Sequence, residues 1–423
     1  MIKTASPQKS WIETPSCSDF PLENIPFGIV EIQNRREVVT RIGDTIVRLS
    51  VLAHHGFIGF LSGDQLQVFE ASELNPFIGL GKTVTREVRL KLQELFSEGN
   101  SALQSRSDVC RQAFIPAHEA VMRMPVRIGD YTDFYSSIEH ATNVGIMFRD
   151  PANALLPNWR HLPVGYHGRA SSIVLSGTPI HRPKGQTRPT DEGPVVFGPT
   201  KQLDFELEMA FITSGSTLLG NSIPVERAED YIFGLVIFND LSARDIQRWE
   251  YVPLGPFLSK SFGSIISPWV VTLEALEPFR TSGPVQNPEP LPYLRQSKPG
   301  NFDIQLEVEL QAPGCRPLNI SKSNFGFLYW SMAQQLAHQT IAGCNIRVGD
   351  LYASGTISGP MPDSYGSMLE LCWKGTRPLS LPDGSERTFL HDGDSVSMKA
   401  FAEKQGLRIG FGECETTILP ALP

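Results

Sequence analysis

No run of about 18 apolar residues occurs in the 423-residue chain, so the sequence offers no membrane-spanning helix. Basic character is also short. Lys and Arg number 37 against 45 Asp and Glu, a net charge of −8, which argues against nucleic acid as a partner because phosphate binding calls for a basic face. Cysteine is sparse and scattered: Cys17, Cys110, Cys315, Cys344, Cys372 and Cys414 form no CxxC pair. That pattern speaks against a disulfide framework and a cysteine zinc site, and it suits a reducing compartment. The opening MIKTASPQKSWIETPSCSDF has no apolar core of the secretory kind, so a cytoplasmic chain is expected. GxSxG is missing, which excludes a nucleophile-elbow hydrolase, and HExxH is missing, which excludes a zincin. GLGKTV at 79–84 carries the GKT of a phosphate loop, but Pro76 stands where the first glycine is needed.

What the chain does have is turn chemistry and short β-like runs. It is 41% hydrophobic and 19% charged, with 36 Gly and 33 Pro, the composition of a loop-rich, mainly β globular protein. Runs such as SSIVLSGTPI, YIFGLVIFND, SPWVVTLEAL, FDIQLEVELQ and LRIGFGEC read as strands. Two helices stand out. TREVRLKLQELFSEGN has an apolar stripe at Val88, Leu92, Leu95 and Phe96 with Gly99 as a stop; SNFGFLYWSMAQQLAHQTIAG has Gly343 just past its end. Length suggests about two or three domains at roughly 150 residues each. The connecting segment IPAHEAVMRMPV places a boundary near 120, giving units 1–120 and 121–423.

Acids occupy unusual places. In LDFELEMAF, Asp204, Glu206 and Glu208 alternate with Phe205, Leu207 and Met209, the pattern of a strand with one oily face and one carboxylate face. Asp133 lies in the aromatic setting of DYTDFYSS, two residues before Tyr135 and seven before His140. Asp240 ends the apolar run LVIFND, where it would serve as a loop-borne ligand or as the N-cap of a helix over LSARDIQRW. Oxygen-only ligands suit hard divalent cations. Taken singly, each residue has an ordinary reading: a solvated strand face, a cap, a hydrogen-bonded structural histidine, a packed aromatic.

Together, IGDYTDFYSS, HATNVGIMFRD, NWRHLPVGYHGRASSIVLSGTPI, LDFELEMAF, NDLSARDIQRWEYVPLGPFLSKSFG, ASGTISGP and GSMLELCWKGT resemble the fumarylacetoacetase family. The likeness runs from about residue 126 to the C-terminus and is weaker before that. It implies a small N-terminal SH3-like β-barrel followed by a large C-terminal mixed β-sandwich roll, assembled as a homodimer. It further implies Asp133, Glu206, Glu208 and Asp240 as ligands of a catalytic Ca²⁺, and Asp240, Lys260, Gly263 and Ser264 as a structural Mg²⁺ site. Ser264 departs from a common Thr but keeps a hydroxyl, and Lys260 is expected to use its carbonyl. Asp204 matches no ligand and is expected farther along the strand, near solvent or a base such as Lys201.

The activity implied is hydrolysis of a carbon–carbon bond in 4-fumarylacetoacetate, the last step of tyrosine breakdown, with Ca²⁺ holding the diketone. His140 matches the base that activates water, and Glu370 the carboxylate that orients it. Arg244, Gln247 and Lys260 match donors to the oxyanion. Tyr135, Arg149, Tyr166, Gln247, Tyr251 and Thr356 match substrate contacts. Two other readings stand beside this: acylpyruvate or oxaloacetate chemistry on the same scaffold, and a calcium-binding protein without catalysis.

Overall fold

The computed structural model describes residues 8–190 and 192–423; residues 1–7, the start of the segment inspected for a leader, lie outside the described residues. Strands β1 (Phe27–Ile32), β2 (Arg35–Ile42), β3 (Thr45–Arg48), β4 (Phe114–Pro116) and β5 (Val121–Arg123) form an antiparallel sheet in the order β4-β3-β2-β1-β5. Between β3 and β4 the chain makes a run of helices, one of them on the stretch TREVRLKLQELFSEGN that the apolar stripe predicts. The longest is α1 (Lys82–Phe96), which buries Val88, Leu92, Leu95 and Phe96 as its stripe requires.

The central sheet holds eight strands. Seven of them, β6 (Tyr131–Phe134), β7 (Gly165–His167), β8 (Ile173–Leu175), β9 (Leu207–Thr213), β10 (Ile232–Asp240), β11 (Ser264–Ile266) and β12 (Leu351–Ala353), run in the order β7-β6-β12-β9-β10-β11-β8, and Val271–Thr272 adds to β10. The sheet is mixed, with β6 parallel to β12 and β8 parallel to β11. Every residue of β9 and β10 is buried, which is why YIFGLVIF reads as an unbroken apolar run: both faces of these strands are covered.

The two faces belong to different cores. Leu207, Met209, Phe211, Leu235 and Ile237 enter one apolar cluster with Leu306, Val308, Val396, Met398 and Ala400 of a second sheet. That sheet orders Leu318–Asn324, Gln305–Gln311, Ser395–Lys404, Leu407–Leu419 and Ile180–His181. Ala210, Ile212, Val236 and Phe238, the alternate positions, enter another cluster with Phe27, Val38, Leu52, Phe77 and Leu92 from the N-terminal part of the chain. The period of two thus sorts each strand between a sandwich core and the N-terminal sheet with its helices.

The C-terminal helix is shorter than its sequence pattern. Residues 318–324 are a strand and Phe325–Phe327 a 3₁₀ turn. Helix α4 covers only Met332–Thr340, opened by a capping box in which Ser331 and Gln334 satisfy each other's backbone N–H. Phe325, Leu328, Tyr329 and Trp330 are buried because they pack into the sandwich core before the helix begins. No helix among the described residues is long and apolar enough to cross a membrane.

Candidate active site

Asp133, Glu208 and Asp240 share a face with the apolar row Tyr131, Ala210, Ile212, Val236 and Phe238, and they are that row's continuation at the strand ends. Register brings them side by side. Asp133 stands opposite Ala353, which stands opposite Ala210. Asp240 N donates to Glu206 O at 3.3 Å. Carboxylate oxygens of Asp133, Glu206, Glu208 and Asp240 lie within 4.8 Å of one another, and all four residues are buried. Burial and the neighbouring acid Asp240 push the Asp133 carboxyl well above the usual range. Burial together with Asp133 and Glu206 does the same to Glu208.

Glu206 goes the other way. Burial alone would raise it, yet Lys260 and Arg244 hold it below its ordinary value. Lys260 Nζ donates to Glu206 Oε2 at 2.6 Å and to Asp240 Oδ2 at 2.7 Å, and Arg244 Nη1 meets Glu206 Oε1 at 2.7 Å. Asp240 also accepts from Ser264 Oγ, its cross-strand partner, at 2.7 Å and from Tyr166 OH at 3.2 Å. Its carboxylate therefore does not cap the following helix α3 (Arg244–Glu250), whose N-cap is Ala243. Gly263 is buried against Ile180, and a Cβ there would come within 3.0 Å of that side chain.

The donor set fits a hard divalent cation. All candidate ligand atoms are oxygens, and Asp133 Oδ1 and Glu208 Oε1 are buried with no hydrogen-bond partner among the described residues. Two unpartnered acid oxygens beside four converging carboxylates describe a cradle for positive charge.

A second constellation adjoins the first. Helix α2 (Ile138–Phe148) starts at Ser137, whose Oγ accepts from His140 N at 3.3 Å and donates to Ser358 O at 2.9 Å. This fixes His140 in the first turn, where its Nδ1 meets Glu370 Oε2 at 2.7 Å in a buried pair. Burial would raise Glu370, but the facing imidazole and the hydrogen bonds lower it. Asn143 donates to Glu370 Oε1 at 2.9 Å, and Ser358 and Ser367 donate to Oε2 at 2.8 and 2.9 Å. The Tyr135 ring lies edge-on to His140 at 5.2 Å.

The other expected residues are placed unevenly. Gln247 Oε1 accepts from Arg244 Nη1 at 3.2 Å, and Thr356 carries a buried hydroxyl with no partner one residue after Gly355, whose N–H donates to Glu208 at 2.8 Å. Arg149 bonds Ala154 O instead of any carboxylate. Tyr251 is half exposed on the loop after α3, and no side-chain bond ties it to the cluster. Asp204 has the basic neighbour expected of it but neither the solvent nor the particular base. It is fully buried, far from solvent, and its base is Arg244 (Nε to Oδ2, 2.8 Å) instead of Lys201. The strand breaks at this point: Leu203–Asp204 pairs with Ser242–Ala243, and β9 starts only at Leu207.

Sequence reasoning missed Asn143, Ser358 and Ser367, the three residues that hold Glu370. Two signals were readable. Ser367-x-x-Glu370 is a helix-start pattern, and Asn143 lies one turn from His140 on α2.

Fold and site together define a β-rich protein with a buried His–Glu pair beside a four-carboxylate cluster that could hold a metal ion. The profile described as fumarylacetoacetate (FAA) hydrolase C-terminal matches residues 131–419, and that described as fumarylacetoacetase N-terminal matches residues 23–125. The fumarylacetoacetase of Homo sapiens is 52% identical over 416 residues, covering 98% of this chain and 99% of the relative. That of Dictyostelium discoideum is 51% identical over 421 residues, covering 98% of each. A fumarylacetoacetate hydrolase from psychrophilic Exiguobacterium antarcticum has the same fold, with a TM-score of 0.52 at 15% identity over 94% of this chain and 99% of that one. The chain belongs to the fumarylacetoacetase family.

Proposed function

We propose that the protein hydrolyses 4-fumarylacetoacetate to fumarate and acetoacetate. The observation that carries this reading is the buried His140–Glu370 pair next to the four-carboxylate cluster, in a chain about half identical to fumarylacetoacetases along its whole length. Glu370 takes Nδ1 of His140, so the neutral ring keeps Nε2 free to accept a proton from water. The hydroxide so formed adds to the ketone carbon of the fumaryl group, leaving an oxyanion. Arg244 Nη2, buried and without a partner, is the donor best supported for that oxygen, with Gln247 and Lys260 beside it. Collapse of the oxyanion breaks the carbon–carbon bond, and the bonding pair leaves with the acetoacetate carbon. The proton on His140 then goes to that carbon, and the new carboxylic acid loses its own proton to become fumarate.

Ca²⁺ is the cation we assign to Asp133, Glu206, Glu208 and Asp240; four carboxylates suit its roomy coordination, and when bound it supplies Lewis-acid stabilisation of the negative charge. Mg²⁺ is assigned to Asp240, Ser264, Gly263 and the Lys260 carbonyl as a structural ion. Tyr135, Tyr166, Arg149, Tyr251 and Thr356 are assigned to the substrate. Residues 1–120 are read as a supporting unit and 121–423 as the catalytic unit, since every assigned site residue falls in the second. A cytoplasmic homodimer is proposed; the exposed apolar Phe197, Val252, Leu254 and Phe257 support self-association, which sedimentation would check.

The decisive test is a spectrophotometric assay with fumarylacetoacetate, with and without chelator and added Ca²⁺. Turnover is expected only with the cation present. His140→Ala should lose at least about 10²-fold in kcat while still binding Ca²⁺. Far faster turnover of acylpyruvates would reassign the substrate, and unchanged turnover in His140→Ala would remove the mechanism.

A further inference from the structure

Asp204 is the one acid of LDFELEMAF outside the carboxylate cluster, yet it is among the most thoroughly used groups in the protein. Its Oδ2 accepts from Arg244 Nε at 2.8 Å and from Leu369 N at 3.0 Å, and its Oδ1 accepts from Met368 N at 2.7 Å. One carboxylate thus grips a guanidinium on one side and the first turn of α5 (Met368–Leu371) on the other. That turn carries Glu370, which holds His140. A second tie runs beside it, from Leu207 N to Gly366 O at 2.8 Å. With Nε spent on Asp204 and Nη1 on Glu206 and Gln247, the buried Nη2 is the nitrogen of Arg244 left without a partner among the described residues. A buried N–H held this way is a donor fixed in advance for an oxygen that becomes anionic.

We propose that Asp204 is a positioning residue: it locks the Arg244 guanidinium to the Glu370-bearing turn, so that the oxyanion donor and the water-activating base keep one spacing. This rests on the reading above that Arg244 and His140 serve the same hydrolysis. The chemistry requires a carboxylate at this position. Asparagine has the same size but one oxygen, and its amide N–H₂ would confront either Arg244 Nε–H or Met368 N–H, donor against donor.

Steady-state kinetics on the full-length, Ca²⁺-loaded enzyme test this with Asp204→Asn, Arg244→Ala and the double variant. Asp204→Asn is expected to lower kcat on the order of 10²-fold while KM moves by less than about threefold, because the lost donor serves developing charge. The double variant is expected to be no slower than Arg244→Ala alone, within about threefold, because both changes remove one unit. Single effects that multiply in the double variant would overturn the proposal, as would wild-type kcat in Asp204→Asn. Arg244→Lys, which leaves Asp204 untouched, guards against a variant that fails to fold. It keeps the charge but cannot hold Asp204, Glu206 and an oxyanion at once, so it should lose kcat as Arg244→Ala does; a lysine that works as well as arginine would also overturn the proposal. A wild-type enzyme inert toward fumarylacetoacetate would instead remove the functional reading itself, whereas active wild type with multiplying variants removes only the positioning role.

Discussion

Gly168, in the GYHGR stretch, shows how closely single residues are fitted around the site. A Cβ at this position would lie 2.1 Å from the Tyr131 ring, whose buried hydroxyl has no partner and whose ionisation is opposed by burial and by the nearby Asp133, Asp240 and Glu208. Gly168→Ala must displace that ring, which neighbours the carboxylates, and overpacking of this kind costs about 1–3 kcal/mol. Thermal melting should show the loss, and Ca²⁺ titration should show weakened binding; an unshifted melting temperature would mean that Tyr131 moves aside freely. A second substitution addresses the cluster itself. Glu206→Gln with Glu208→Gln should weaken Ca²⁺ binding and turnover together, measured by calorimetry and by assay, since both carboxylates face the same point. Calcium affinity that survived this change would take both residues out of the ligand set. The period of two in LDFELEMAF made these acids legible in the sequence. It could not distinguish Asp204 from its neighbours, because the partner that claims Asp204 arrives from Arg244, 40 residues onward, and from a turn 164 and 165 residues onward.

At the scale of elements, caps decide where helices begin and hence where side chains point. Ser331 accepts from Gln334 N at 3.3 Å, and Gln334 returns a bond to Ser331 N at 3.0 Å. Ser331→Ala should therefore cost about 1 kcal/mol, within the usual 0.5–2 for a lost N-cap, and leave kcat unchanged because α4 carries no group assigned to the chemistry. Melting and assay on the same preparation check both halves, and a fall in kcat would tie α4 to the site. Helix α1 was legible because its apolar stripe has the helical period and one face to bury. The apolar pattern before α4 outruns the helix: Phe325, Leu328, Tyr329 and Trp330 enter the sandwich core, and a near-continuous apolar run carries no period. Asp240 could be read as cap or ligand because both uses place a carboxylate just past a strand. Register settles its contacts, setting it opposite Ser264 and beside Glu206.

Across the whole molecule, the N-terminal core and the carboxylate cluster occupy one face of the central sheet, with apolar residues along the row and acids at its end. That division was not legible in the sequence, because β9 and β10 are buried on both faces and their composition does not say which core each position enters. It has an energetic consequence. Asp133, Asp204, Glu206, Glu208 and Asp240 are buried together, and Lys260 and Arg244 are the bases bonded among them, so acids outnumber bases by 5 − 2 = 3. Excess buried charge is costly unless it is neutralised by protons or a cation, and burial beside neighbouring acids raises Asp133 and Glu208 accordingly. A divalent ion that binds the folded chain alone stabilises it by mass action, about 2.7 kcal/mol when present at 100 times its Kd. Chelator should therefore lower the melting temperature as well as abolish turnover, and added Ca²⁺ should restore both. In Asp133→Asn/Glu208→Gln the excess charge is smaller and ligands are lost, so chelator and Ca²⁺ should barely move the melting temperature. If wild type and variant respond alike, the stabilising ion sits elsewhere; if neither responds, the cluster holds its charge by protonation instead of by metal.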